Sequence, residues 1–409
     1  MGESNLVKPS QTYRNFPVKV LHVIPSLSPT SGGPSFALPA MARALAVHDV
    51  AVTVATTDDD GPGKHLSGVT LGSETPHDCW KALYFRKQTE FYKTSLPLRQ
   101  WLRTHVCEFD VVHIHAVFSY ASLVAARAAA AQGVPYIVRP LGVLNRWGME
   151  NRRRLVKAMS FRLLELPMLR RAAAMHYTSR MELEDAARFE LKNLQRVIPI
   201  GMDLSLFDAL PNREVFSERF SKTAHTRNIL FLSRIDVKKG LDLLITAFAV
   251  LAHEQADLHL IICGGGDPDL VAKLQAHAAA LGVAERITWA GLVTGDLRLA
   301  AFAAAEIFVL PSHAENFGIA LLEAMATGLP CLSTDQVALA ADASCEDAVQ
   351  LTSREPQAIA EALRGLLSSE ERRRTLAGHA HAFARRDYSL SAMGTALHQL
   401  YQEVRHRGT

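Results

Sequence analysis

"PSHAENFGIALLEAMATGLPCLST", residues 311–334, follows the strand-length apolar run Ile307 to Leu310 and sets two glutamates, Glu315 and Glu323, on either side of Gly318. Gly318 to Thr327 has helical composition, and Gly328-Leu329-Pro330 supplies a C-cap and a breaker before the next apolar run, Pro330 to Ser333. Strand, loop, helix and strand in that order make one unit of a parallel sheet wound by a crossover helix. The same alternation runs along the whole chain. Its first half offers strands at Val18 to Ile24, Val50 to Thr56, Asp110 to Ile114, Val134 to Val138 and Ala174 to Thr178. The second half restarts the pattern at Asn228 to Ser233, Leu258 to Cys263 and Arg286 to Trp289, and closes it with the two runs above. The expected class is α/β, with two Rossmann-like domains whose parallel sheets face a central crevice. Residues 1–205 are assigned to the first domain and 206–388 to the second, with polar Asp203 to Thr226, which contains Pro211, as the linker. A last helix, about Ser389 to His406, lies beyond the second core and packs back on one domain or the other.

At 409 residues, 48% hydrophobic and 21% charged, the chain can bury two cores. A formal net charge of +3 gives no global attraction to nucleic acid, and none is expected as a partner. Cys79, Cys107, Cys263, Cys331 and Cys345 form no CxxC pair and no zinc spacing, and read as reduced thiols. The first residues do not resemble a signal peptide, and no apolar run approaches the roughly 20 residues of a membrane span. A cytoplasmic protein is expected.

In open α/β sheets ligands bind beyond the carboxyl ends of the strands, where helix N-termini offer unpaired N–H groups to anions. Glu315 falls in such a loop and Glu323 on the helix after it. Both carboxylates can then accept hydrogen bonds from sugar hydroxyls around a phosphate held by the backbone at Gly318, Ile319 and Ala320. A capped surface helix with one solvated and one paired glutamate accounts for the same spacing. Other strand ends weigh against that plainer account. "LFLSRIDVKKGLDLLITAF", residues 230–248, puts Arg234 after a strand and Lys238-Lys239-Gly240 before a helix, two cations at one helix start, as a diphosphate requires. "IICGGGDPDL", residues 261–270, ends a strand in Gly264-Gly265-Gly266, which lets a ligand approach the backbone closely. It is not GxGxxG, so the dinucleotide fingerprint is absent and an NAD-dependent oxidoreductase is disfavoured. "HIHAVFSYAS", residues 113–122, brings His113 and His115 to a strand end, and side-chain alternation is read as placing them on opposite faces, so that at most one meets the crevice. Gly32-Gly33, with a helix starting near Pro34, makes a second phosphate-friendly terminus.

Together these residues resemble glycosyltransferase family 4, the retaining nucleotide-sugar transferases with the GT-B fold, over nearly the whole chain. The resemblance is carried by Glu315-x7-Glu323 within AENFGIALLEAMATGLP, by SRIDVKKG, by the triglycine and early GGPS loops, and by PIGMD at 199–203. It implies that Arg234 and Lys239 bind the donor diphosphate, that Glu323 holds the nucleotide ribose and that Glu315 contacts the transferred sugar near its reacting carbon. It further implies that His115 reaches that sugar from the first domain and that Gly33 lies near the phosphates. Gly264, Gly265, Phe317, Gly318 and Ile319 line the donor on the same grounds. Two positions depart from the family pattern: Ile200, where Asn is common, and Leu141, where many relatives carry a polar or basic residue and recognise the acceptor. The implied reaction transfers a sugar with retention from a UDP- or GDP-linked donor to a carbohydrate or polyprenyl-diphosphate-linked acceptor, in surface polysaccharide assembly. A sugar-phosphate-accepting synthase and a catalytically silent sugar-nucleotide-binding scaffold of the same fold are the alternatives, and the intact Arg234, Lys239, Glu315 and Glu323 speak against silence.

No cofactor and no metal are expected. Asp58-Asp59-Asp60 and Asp267-Pro268-Asp269 have the Asp-x-Asp spacing of metal-dependent transferases, but the cationic residues already neutralise a diphosphate. Arg146 to Arg171 carries eight basic residues against Glu150 and Glu165, with Leu155, Met159, Leu163 and Leu166 at near-helical spacing. That segment either lies on an anionic membrane, at its inner face, or against a lipid-linked acceptor's phosphates, or it is a domain helix whose apolar stripe faces its own core. The donor ligands fall in the second domain and His115 and Gly33 in the first, so closure about the linker is expected.

Overall fold

The computed structural model describes residues 18–31, 33–144, 159–315 and 317–407. Compactness divides the chain into one unit of Met1–Arg139, Met159–Ala174 and Leu397–Thr409 and another of Pro140–Ala158 and Met175–Ala396. The C-terminal helix, Leu390–Arg407, therefore starts in the second unit and ends in the first.

The first sheet contains β1 (Val18–Ser26), β2 (Val50–Thr57), β3 (Glu74–Pro76), β4 (Trp80–Phe85), β5 (Val111–His115), β6 (Tyr136–Arg139), β7 (Ala174–Tyr177) and β8 (Leu194–Val197), in the spatial order 3-4-2-1-5-6-7-8. β1 pairs in parallel with β2 and β5, β2 with β4, and β5 with β6, while β3 runs antiparallel to β4. The second sheet contains β9 (Arg227–Leu232), β10 (Leu258–Cys263), β11 (Ile287–Gly291), β12 (Ile307–Leu310), β13 (Cys331–Thr334) and β14 (Gln350–Thr352), in the order 11-10-9-12-13-14. Every pair in it is parallel. β10 and β12 are buried along their whole length, as strands with helices on both faces must be. The two Rossmann-like sheets are the expected ones.

Four strands have no counterpart in the sequence reading. β3 and β14 are three residues long, and β8 exposes Arg196 and only half-buries its other residues. They are edge strands that bury little, so they leave no apolar run to read. β4 is missed because it begins with half-exposed Trp80 and Lys81.

The linker reading of Asp203 to Thr226 is corrected. Glu214–Arg219 is a helix, and Leu204, Phe207 and Phe216 belong to the core of the second unit. Phe216 is fully buried, with its ring 4.8 Å from that of Phe220, and its helix packs on Gly295–Ala304. A few apolar anchors hold a stretch that is otherwise mostly polar, which composition alone reads as irregular.

Candidate active site

β9 and β12 are neighbours, but the chain continues from β9 toward β10 on one side and from β12 toward β13 on the other. The loops that follow them diverge, and a crevice opens at their carboxyl ends. In the first loop Asp236 caps the short turn Val237–Lys239 by accepting from the Lys238 N–H at 2.9 Å. Gly240 then takes φ +64°, and a Cβ there would lie 2.1 Å from the Pro311 carbonyl oxygen of the second loop. Glycine is thus required where the loops touch, and the His313 N–H donates to the Lys238 carbonyl at 2.7 Å beside it.

The second loop holds Glu315 by its backbone, whose N–H donates to the Gln336 carbonyl at 3.0 Å while its own carbonyl accepts from the Ala338 N–H at 3.3 Å. Its side chain pairs with Lys239. Gly318, at φ +91°, opens the helix Ile319–Ala326, whose first N–H groups receive no side-chain cap. One turn on, Glu323 is 4% exposed and pairs with Arg298 from the helix Gly295–Ala304. Lys239, Arg298, Glu315, Gly318, Ile319 and Glu323 share a cleft of about 270 Å³ with Ser233, Leu310 and Ala320.

Arg234 lines a neighbouring cleft of about 380 Å³ with Gly265, Gly266 and Asp267. It is exposed and makes no hydrogen bond or ion pair with the described residues. Burial, and then the Arg234 charge, pulls the Lys239 ammonium below the usual lysine range, with the Asp236 charge acting the other way. A bound anion would relieve the repulsion between the two cations. Glu323 is held above the usual carboxylate range by burial, against the opposing pull of Arg298.

The triglycine turn has a different cause from the expected one. A Cβ on Gly264 would sit 1.8 Å from the Ser233 carbonyl oxygen, and one on Gly266 2.6 Å from Ile235, whereas one on Gly265 would meet nothing within 4 Å. The first and third glycines are dictated by the chain leaving β9, and Gly265 alone faces open space. Phe317 lines neither cleft; its ring packs 5.8 Å from that of Tyr388.

Asp58, Asp59, Asp60 and Asp267 have partners within the protein. Asp58 accepts from Arg86 at 2.9 Å and the Lys87 N–H at 2.7 Å, with His65 at 3.1 Å; Asp59 pairs with Lys87 at 2.9 Å and with Lys93; Asp60 accepts from Ser28 and Thr30. Asp267 caps the helix Pro268–Ala280, accepting from the Asp269 and Leu270 N–H groups.

In the first unit Gly33 begins the helix Gly33–Ala46, and His115 ends β5 almost wholly buried. The opposite-face reading of His113 and His115 is corrected. Residues two apart on a strand share a face, and both imidazoles stack beside His22 of β1, the His113 and His115 ring centroids 4.5 Å apart. Of the basic segment, Arg146, Arg152, Arg153, Arg154 and Lys157, with Leu155, lie outside the described residues. Within its described part, Phe161, Glu165, Met168 and Leu169 are buried, while Met159 and Leu163 are 61% and 66% exposed.

Arg298 went unnoticed in the sequence. The available signal was a basic side chain in the opening turns of a helix that follows a strand, where the helix dipole disfavours a cation.

Residues 32–201 match the family described as glycosyl transferase 4-like domain, and residues 212–382 the family described as glycosyl transferases group 1. The chain is similar to a D-inositol 3-phosphate glycosyltransferase of Xylanimonas cellulosilytica, 32% identical over 219 residues, a match that covers 51% of this chain and 52% of the relative. It thus spans about half the length of the curated relatives it matches. Among solved structures it superposes on HepE of Anabaena in complex with UDP and glucose, with a TM-score of 0.70 and 18% identity over 94% of this chain and 100% of that one. A sucrose-phosphate synthase of Thermosynechococcus elongatus superposes equally, TM-score 0.70 and 18% identity, over 95% of this chain and 100% of that one. At such identity these superpositions bear on the fold alone. The two family matches follow each other along most of the sequence, over both parallel sheets, and the chain belongs to glycosyltransferase family 4, with the GT-B fold.

Proposed function

We propose that the protein transfers a sugar, with retention of anomeric configuration, from a UDP- or GDP-linked donor to a carbohydrate or polyprenyl-diphosphate-linked acceptor. The observation that carries the reading is the β9–β12 switch point. It offers an arginine with no ion pair among the described residues, a lysine depressed by burial and by that arginine, and an uncapped helix start, with one carboxylate on each side of that start. A diphosphate meets Arg234 and Lys239, and its charge, which grows as the sugar leaves, is stabilised by groups already in place. Taking Lys239 from its ion pair frees Glu315 for the sugar hydroxyls, and ribose hydroxyls are shared by Glu323 and Arg298. His115 completes the contact with the sugar. The departing phosphate oxygen accepts the acceptor's proton on the face the leaving group vacates. Independence from a divalent metal is part of this reading, supported by the internal partners of Asp58, Asp59 and Asp267.

Surface polysaccharide assembly at the inner face of a membrane is the setting we favour. Exposed Met159 and Leu163 next to exposed Arg162 support it, since a stripe facing the domain core would be covered. A sugar-phosphate acceptor is the second reading, supported by the phosphorylated compounds in the names of the inositol-phosphate transferase and sucrose-phosphate synthase it resembles.

The test is proton NMR of turnover with UDP- and GDP-sugars in chelator, offered polyprenyl diphosphate-linked sugars or sugar phosphates. An α-donor should give an α-linked product. A β-linked product, or turnover only after a divalent cation is added, contradicts the proposal.

A further inference from the structure

His22 on β1 lies directly across from His113 on β5, and His115 is two residues further on the same face. All three imidazoles are buried, and the C-terminal helix delivers a fully buried Tyr401 onto them, edge-on to His22 and His113. The Tyr401 hydroxyl lies 2.8 Å from His113 Nδ1 and 3.3 Å from His22 Nε2, and His22 Nδ1 lies 2.9 Å from His115 Nε2. Side chains from three elements thus form one chain of hydrogen bonds that reaches His115.

We propose that Tyr401 and His22 are positioning residues that fix the ring orientation and the tautomer of His115 for sugar transfer. The inference rests on the reading of His115 as the group that reaches the donor sugar. The polarity of the chain is all-or-none. Tyr401 keeps its proton, since burial raises its pKa, and His22 stays neutral, pushed down to about 3 by burial and by the Arg139 charge. Turning the Tyr401 O–H toward His22 puts the His22 proton on Nδ1, facing His115 Nε2, and leaves the His115 proton on Nδ1. Turning it toward His113 reverses every link. Either way His115 is a single tautomer, and the phenol two links away selects it.

One ring nitrogen from each of the three histidines lies within 4.8 Å of the others, close enough for a metal ion. Imidazole ligands bring no negative charge to a buried divalent cation, and the positive charge of buried Arg139 acts on the same site, so the hydrogen-bonded chain is the better account.

Long-range proton–nitrogen NMR of the full-length, [15N]histidine-labelled protein reads the tautomer without any substrate. His115 should be one neutral tautomer at pH 7, and Tyr401→Phe should mix or invert it. On donor turnover, Tyr401→Phe should lower kcat about tenfold with KM changed by less than about twofold, and should have almost no effect when His115→Ala is already present. A His115 tautomer indifferent to Tyr401→Phe, or equal kinetic losses in both backgrounds, overturns the proposal. Cobalt(II) absorption bands that vanish in His113→Ala would overturn it in favour of a metal centre. If His115→Ala leaves turnover unchanged, the reading of His115 falls and its kinetic consequence with it, while the NMR result separately shows whether the relay exists.

Discussion

Glu323 is buried, and the chain would be easier to fold without its charge. An acid whose pKa is raised in the native state holds its proton more tightly when folded. Its contribution to stability is therefore complete below the unfolded value of 4.5 and is lost as pH climbs through the native one. Glu323→Gln should accordingly raise the unfolding free energy at pH 7, with the gain disappearing near pH 4 in denaturant titrations. The same substitution should weaken nucleotide binding by about 1.4 kcal/mol or more, about tenfold, by calorimetry. A second residue-scale prediction separates the glycines. Gly264→Ala, at φ +152° and against the Ser233 carbonyl, should lose about 2 kcal/mol or more, while Gly265→Ala should stay within about 0.5 kcal/mol by thermal denaturation. At this scale the sequence was legible where chemistry and strand end coincided, at Arg234, Lys239, Glu315 and Glu323. It was not legible where a residue's partner comes from far along the chain. Nothing near His113 announces Tyr401, and nothing near Glu323 announces Arg298.

Among the elements, those with strong patterns were readable and those held by a few long-range contacts were not. β10 and β12 are continuous apolar runs because both their faces are covered, whereas β8 and β14 lie at sheet edges and need not be apolar. The helix Glu214–Arg219 sits within a polar stretch and depends on Phe216, which packs it against the helix carrying Arg298. Phe216→Ala should therefore cost about 3–5 kcal/mol in chemical denaturation, the penalty of a core cavity, where a linker residue would lose almost nothing.

For the whole molecule, the second sheet has the order that places one switch point between β9 and β12, and the first has β1 between β2 and β5. The alternation of strands and helices made two parallel sheets readable, but strand order follows from pairings that sequence pattern does not specify. In the proposed function the donor ligands come from the second sheet and His115 from the first. Small-angle scattering at saturating donor nucleotide should accordingly show a smaller radius of gyration than the free protein, and superimposable profiles would count against closure.

In the proposed function the β9–β12 switch point binds a nucleoside diphosphate through its own cations. Thermal unfolding with UDP, GDP or ADP in chelator, for the native chain and for Arg234→Ala and Glu323→Ala, tests it most directly. At about 100 times its dissociation constant one nucleotide should stabilise the native protein by about 2.7 kcal/mol, and both substitutions should abolish the effect. Stabilisation that survives both substitutions, or that appears only when a divalent metal replaces the chelator, would contradict it.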